Sequence, residues 1–311
     1  MEFRRVRTPD HDDLAVAWRT ISARLAPTPL HAGDDGLFLK LESLQPTGAF
    51  KIRGALNALS ALPADVVPVT ASAGNHGLGV AHAARMLGRR ATVVVPGNAS
   101  PAKVAALRAT GIDLVEAGSS YDDAEQHALD LAAGGAYYLS PYNDPAVIAG
   151  QGTIGHELRE QVPGPLTVVC AIGGGGLASG LGLWASGYED VRIIGVEAAA
   201  STAVSTAVRA GRVLDVPIGE TIADGVAGGV ERGSVTIELI AAHVSELLTV
   251  TETEIRAAMR YLITEHGVVA EGAGALAVAA LLAGKGKTQG TTVAVVSGRN
   301  ITIPALTAAV H

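Results

Sequence analysis

Short apolar runs rich in β-branched residues recur along the chain at 66–70, 91–95, 167–172, 192–196 and 292–296, and the stretches between them carry apolar residues at helical spacing. This alternation predicts an α/β protein with open, mostly parallel twisted sheets flanked by helices. Several helix ends are legible. Ser100 can cap a helix with Pro101 in its first turn, Gly111 can terminate it, and Thr251 with Glu254 forms a capping box ahead of Ile255. Open sheets of this kind bind ligands just beyond the carboxyl ends of their strands, so the loops that follow the runs are where chemistry is sought. No period repeats and no Pro/Ser-rich linker divides the chain, so composition places no domain boundary.

Composition then removes several classes. Apolar residues make up 48% and aromatic ones only 4%, with 38 glycines, which suits Ala-rich helices on Val/Ile-rich strands with tight turns and leaves few rings for stacking on bases. The net charge of −7 is spread thinly, without the basic stripe that a phosphate backbone requires, so nucleic acid is not an expected partner. The first ten residues turn polar and acidic where a secretory leader would be apolar, which predicts a cytoplasmic protein. The longest apolar stretches, 168–187 and 272–284, are punctuated by glycine or too short to span a bilayer. Cys170 is the single cysteine and lies in an apolar run, so it reads as an inert core thiol; intrachain disulfides and cysteine zinc sites are excluded. The nine histidines include no His-Glu-x-x-His pattern.

Four segments carry candidate chemistry. In residues 39–55 a strand, a Pro/Gly turn and an apolar helix place Lys51 near a helix start. There the helix dipole and an apolar surrounding would lower its pKa toward a nucleophilic amine, although a solvated lysine fits the same pattern. Residues 70–77 leave a strand and enter a helix. The turn Ser72-Ala73-Gly74-Asn75-His76 could hold a carboxylate on backbone N–H groups and offer the Asn75 amide to a phenolic oxygen, or be an ordinary capped turn. Gly173-Gly174-Gly175-Gly176-Leu177 follows a strand and can converge N–H groups on a phosphate. It also satisfies Gly-x-Gly-x-x-Ala, with Glu197 ending the next strand, which leaves a dinucleotide site open. Ser297, in Ser-Gly-Arg-Asn after the last strand, could present a neutral hydroxyl to a ring nitrogen.

Taken together, Lys40-Leu-Glu-Ser-Leu-Gln-Pro-Thr-Gly-Ala-Phe-Lys51, Ser72-Ala-Gly-Asn-His76, Gly173-Gly-Gly-Gly-Leu177 and Ser297-Gly-Arg-Asn300 resemble the serine/threonine dehydratase (threonine ammonia-lyase) and serine racemase family. Further matches at 144–155, 221–225 and 271–275 extend the resemblance over nearly the whole chain. It implies the pyridoxal-phosphate fold type II, tryptophan synthase β-like, with a large cofactor-binding domain from 1–62 and 147–311 and a small domain, 63–146, inserted in it. It also implies pyridoxal 5'-phosphate as a Schiff base on Lys51, its phosphate on Gly173, Gly174, Gly175, Gly176 and Leu177, its ring hydroxyl on Asn75, its ring nitrogen on Ser297, and Phe50 against the ring. The substrate carboxylate would fall on Ser72, Ala73, Gly74, Asn75 and His76, with Lys51 as general base. The implied reaction is β-elimination from a small β-hydroxy amino acid, L-threonine or L-serine; members of the family are commonly dimers or tetramers, and a homodimer is expected here.

Departures from the family sharpen this expectation. Racemases of the family carry a second serine where this chain has Ala73, and a methyl group cannot deliver a proton, so racemisation is not expected. Metal-dependent members carry a second carboxylate where this chain, reading Glu197, Ser201, Ala203, has alanine, and no metal is assigned. Arg299 replaces a glycine common in the family. It either faces solvent or the other domain, or pairs with a substrate carboxylate, which keeps 3-hydroxyaspartate, beside phenylserine, as an alternative substrate. The chain's end at His311 leaves no room for an appended regulatory domain, and retention of Lys51, Asn75, the glycine loop and Ser297 argues against a non-catalytic binding protein.

Overall fold

The computed structural model describes residues 4–34 and 36–311; residues 1–3, part of the amino-terminal stretch discussed above, lie outside it. In chain order the first elements are α1 (His11–Ser22), β1 (Leu30–Ala32), β2 (Leu37–Lys40), α2 (Lys51–Ala61), β3 (Pro68–Ala71), α3 (Asn75–Leu87), β4 (Thr92–Val95) and α4 (Pro101–Arg108). They are followed by β5 (Asp113–Glu116), α5 (Tyr121–Ala133), β6 (Tyr137–Tyr138), α6 (Pro145–Gln161), β7 (Leu166–Ala171), α7 (Gly176–Ala185), β8 (Val191–Ala198) and α8 (Ala203–Ala210). The remainder is α9 (Val235–His243), β9 (Glu246–Val250), α10 (Glu252–His266), α11 (Gly272–Leu282), β10 (Thr291–Val295) and α12 (Ile303–Val310).

Each of the five apolar runs forms a strand, within two residues of its expected bounds. The strands assemble into two sheets. One has six strands in the order β1-β2-β10-β7-β8-β9, parallel except for the β1–β2 pair; the other has four parallel strands in the order β5-β4-β3-β6. The sequence did not announce β1, β5, β6 and β9, which are edge strands with partly exposed residues. The capping box at Thr251 and Glu254 is formed. Ser100 occupies the cap position of α4 without a side-chain hydrogen bond, and α4 stops at Arg108, so Gly111, with φ +76°, closes the turn beyond the helix instead of ending it.

Central strands are buried on both faces. Along β7, Val168 and Cys170 pack with α6 and α7, while the alternate residues Val169 and Ala171 pack with α10 and α11. Cys170 is fully buried, and burial pushes its thiol up to about 12, which keeps it protonated.

The helix that begins at Lys51 is held by two devices. Helices α2 and α6 cross at glycines, where a Cβ on Gly150 would lie 2.6 Å from Gly54 Cα. Beside that crossing sits a buried ion cluster. The Arg53 guanidinium meets Glu42 at 2.8 Å and Glu157 at 2.7 Å, and Lys40 Nζ meets Glu157 at 2.5 Å. Two cations face two anions, with Thr28 donating its hydroxyl to Glu42 and its N–H to Glu157. Burial alone would raise the Glu42 carboxyl, but Arg53 holds it below the ordinary range, so Glu42 stays a charged acceptor.

Candidate active site

Lys51 is the first residue of α2, and its Nζ donates to the Pro141 carbonyl at 2.9 Å. It sits 5.2 Å from the centre of the Phe50 ring. Burial lowers its pKa from 10.5 to about 8, because the ammonium loses water and gains no carboxylate in exchange. A neutral amine is therefore within easy reach at neutral pH, which the local sequence pattern alone left open.

The Pro141 carbonyl belongs to a strap, Ser140-Pro141-Tyr142-Asn143, whose next side chain covers the glycine loop. A Cβ on Gly174 would run into the Tyr142 ring, and one on Gly176 would lie 3.0 Å from Tyr142 Cα. Gly175, with φ +93°, caps α7, and Thr236 Oγ1 donates to the Gly174 carbonyl at 2.8 Å. With no capping side chain at α7, the first-turn N–H groups have no partner inside the helix and form a ready anion cradle; Leu177 beneath them is buried. One strap thus touches both the lysine amine and the anion cradle.

Ser297 follows β10 and is buried, its Oγ 3.4 Å from the Ala273 carbonyl. Its own carbonyl accepts from Phe50 N at 3.1 Å, and Ala49 bridges Gly298, so the lysine turn lies directly against the end of β10. The turn from Ser72 to His76 opens α3 from the other sheet. Ser72 Oγ accepts from Gly74 N at 3.2 Å, and Ala73 is partly buried. His76 is buried with Nε2 3.3 Å from the Leu139 carbonyl, and burial holds its imidazole neutral, down to about 3. What this turn offers an anion is therefore backbone N–H groups at a helix start, with the His76 ring turned to Leu139.

Asn75 joins the two sheets. Its Nδ2 donates to Glu271 Oε1 at 2.6 Å, and its Oδ1 accepts from Asn300 Nδ2 at 2.7 Å. Burial raises the Glu271 carboxyl to about 7 against the opposing hydrogen bond from Asn75. Glu271, Asn300 and the Pro141–Tyr142 strap had no role in the sequence reading. The only signal for Glu271 and Asn300 was membership of the matching stretches, and the strap, which lies outside them, had none, since each acquires its contacts through residues far away in the chain.

Two further residues singled out in the sequence have defined contacts. Arg299 Nη1 donates to the Ser43 carbonyl at 2.5 Å, which commits the guanidinium to the loop after β2. The Glu197 carboxylate accepts from Val204 N at 2.9 Å and Ser205 N at 3.1 Å, so it caps the start of α8 and is spoken for by that helix.

A lysine of lowered pKa at a helix start, joined through one strap to a glycine loop whose N–H groups open a second helix, defines the class: an enzyme that holds a phosphorylated aldehyde. Residues 21–298 match the family described as pyridoxal-phosphate dependent enzyme, and the chain belongs to that family. Among its relatives, the L-threonine ammonia-lyase of Thermotoga maritima is 42% identical over 273 residues, covering 86% of this chain and 68% of the relative. The catabolic L-threonine dehydratase of Escherichia coli K12 is 37% identical over 307 residues, covering 93% and 92%. Among solved structures, the processed form of threonine deaminase isoform 2 from Solanum lycopersicum superposes with a TM-score of 0.88 at 29% identity, covering 99% of this chain and 91% of that one. Maize serine racemase superposes with a TM-score of 0.89 at 31% identity, covering 97% of each chain. The expected fold type II is therefore the observed one, and the dinucleotide alternative is set aside. Pyridoxal phosphate fits the residues present: the cradle is open only because its glycines lack Cβ atoms, and the Lys51 amine has its pKa lowered toward the nucleophilic form.

Proposed function

We propose that this chain is an ammonia-lyase that converts L-threonine or L-serine to the corresponding 2-keto acid and ammonia. The observation that carries this is the single Pro141–Tyr142 strap that touches both the Lys51 amine and the glycine cradle. The similarity to the Thermotoga maritima and Escherichia coli enzymes supports the choice of substrate. Gly173, Gly174, Gly175, Gly176 and Leu177 would hold the cofactor phosphate, with Phe50 available to its ring, Asn75 to its hydroxyl and Ser297 to its nitrogen. When bound, pyridoxal phosphate supplies the electron sink that makes the substrate α-proton removable.

The residues of the chain do the rest. The turn Ser72, Ala73, Gly74, Asn75 and His76 receives the substrate carboxylate on its backbone donors, which fixes the α-carbon relative to Lys51. Lys51, as the neutral amine favoured by its burial, takes the α-proton. The neutral Ser297 hydroxyl does not hold a proton on the ring nitrogen as a carboxylate would, which favours loss of the β-hydroxyl. Ala73 offers no proton to the opposite face of the α-carbon, so the amino acid is eliminated and not inverted. The 3-hydroxyaspartate alternative gains nothing from Arg299, whose guanidinium is committed to Ser43.

The division into 1–62 with 147–311 and 63–146 belongs to the same reading and is supported by the four-stranded sheet, whose strands all fall between 68 and 138. No helix of the described residues is long and apolar enough to cross a membrane, and we place the enzyme in the cytoplasm as a homodimer. The test is 2-keto acid formation by the cofactor-loaded chain offered L-threonine, L-serine and L-threo-3-hydroxyaspartate in parallel. Turnover of threonine or serine is expected; turnover of hydroxyaspartate alone, or of none, refutes the assignment.

A further inference from the structure

Asn300 ties three distant parts of the chain through one amide. Its Nδ2 donates to the Thr47 carbonyl at 2.8 Å, in the turn that leads to Lys51, and to Asn75 Oδ1 at 2.7 Å, at the start of α3. Gly48 makes room for it: with φ +75°, a Cβ at Gly48 would collide with Asn300 Oδ1. A backbone carbonyl can only accept, so Thr47 fixes which end of the Asn300 amide faces inward. Asn75 must then turn its own oxygen toward Asn300 and its NH2 group away. One N–H of that group goes to Glu271 Oε1 at 2.6 Å, an acceptor in either protonation state. The other has no protein partner among the described residues.

We propose that Asn300 is a positioning residue that orients the Asn75 amide, so that its remaining N–H donates to the ring oxygen of bound pyridoxal phosphate. This rests on the reading above that Asn75 meets that oxygen. Without Asn300 only Glu271 holds the amide against a half turn, which would set a carbonyl oxygen against the ring oxygen and replace a hydrogen bond by a repulsion. The Asn300→Asp variant goes further: its carboxylate can only accept, so it draws the Asn75 NH2 to itself and imposes the reversed orientation.

The experiment titrates apo chains of the parent, Asn300→Ala, Asn300→Asp and Lys51→Ala with pyridoxal phosphate, reading affinity, the absorption band of bound cofactor and the thermal melting of each apo chain. Loss of a hydrogen bond to a charged group corresponds to about tenfold or more in affinity, so N300D is expected to bind at least ~10-fold more weakly than the parent with a displaced band. N300A is expected between the two. Unchanged affinity and an unchanged band in the folded variants overturn the proposal; should N300D fail to fold, N300A decides it by the same criterion. A lower melting temperature with an unaltered band marks Asn300 as structural only and likewise overturns it. If the parent shows no band that depends on Lys51, the cofactor assignment fails and the orientation role falls with it.

Discussion

At the residue scale, the lowered pKa of Lys51 has a single cause, burial of its ammonium, and the contact that its amine makes is to a neutral carbonyl. Lys51→Arg keeps a cation in the same place but cannot be deprotonated in this range. It is therefore expected to abolish 2-keto acid formation and the Lys51-dependent absorption band together, leaving melting of the apo chain near that of the parent. Ala73 carries the complementary expectation: the parent forms no D-serine from L-serine, as chiral analysis of the product mixture would show, whereas Ala73→Ser restores a hydroxyl to the substrate turn and is expected to give measurable inversion. Both residues could be read from sequence because the role of each follows from its own side chain at a fixed place in a contiguous motif. Glu271 and Asn300 could not, since their partners Asn75 and Thr47 are 196 and 253 residues away in the chain.

At the scale of elements, the strands and the glycine loop were legible because burial on both faces makes a strand uniformly apolar, and because a helix start that must hold a phosphate tolerates few Cβ atoms. The edge strands β1, β5, β6 and β9 lacked that signature. Also hidden was what clamps α2. Lys40, Glu42 and Arg53 look like ordinary polar residues within a motif, yet with Glu157 from α6 they form a closed, buried set of charges. Glu42→Gln removes one anion and leaves a net buried cation, a change expected to cost about 3–5 kcal/mol in denaturant unfolding. A smaller mark is expected from Gly174→Ala in the apo chain than in the loaded one. Its methyl pushes on the Tyr142 ring at the rim of the cradle, so cofactor affinity should fall before stability does.

At the scale of the whole molecule, both sheets contribute to one site, and the price of joining them is a buried carboxyl. Glu271 receives Asn75 from the other sheet and has Asp224 and Lys103 as its charged neighbours. Its ionisation moves from an ordinary 4.5 in the unfolded chain to about 7 in the folded one, because burial disfavours the anion. A raised folded-state value means that the native chain holds the proton longer than the unfolded chain. The stability this confers is complete below about pH 4.5 and is lost as the pH rises through about 7. The shift corresponds to about 3 kcal/mol between the two limits. Glu271→Gln keeps a group that can accept from Asn75 but never ionises, so its stability relative to the parent should climb between these pH values and level off above them. Chemical denaturation of the two apo chains at a series of pH values reads that difference directly, and cancels the contributions of every other carboxylate that the two chains share. A difference flat with pH would mean that Glu271 ionises in the folded chain as it does in water, and that Asn75 crosses between the sheets to meet an ordinary carboxylate.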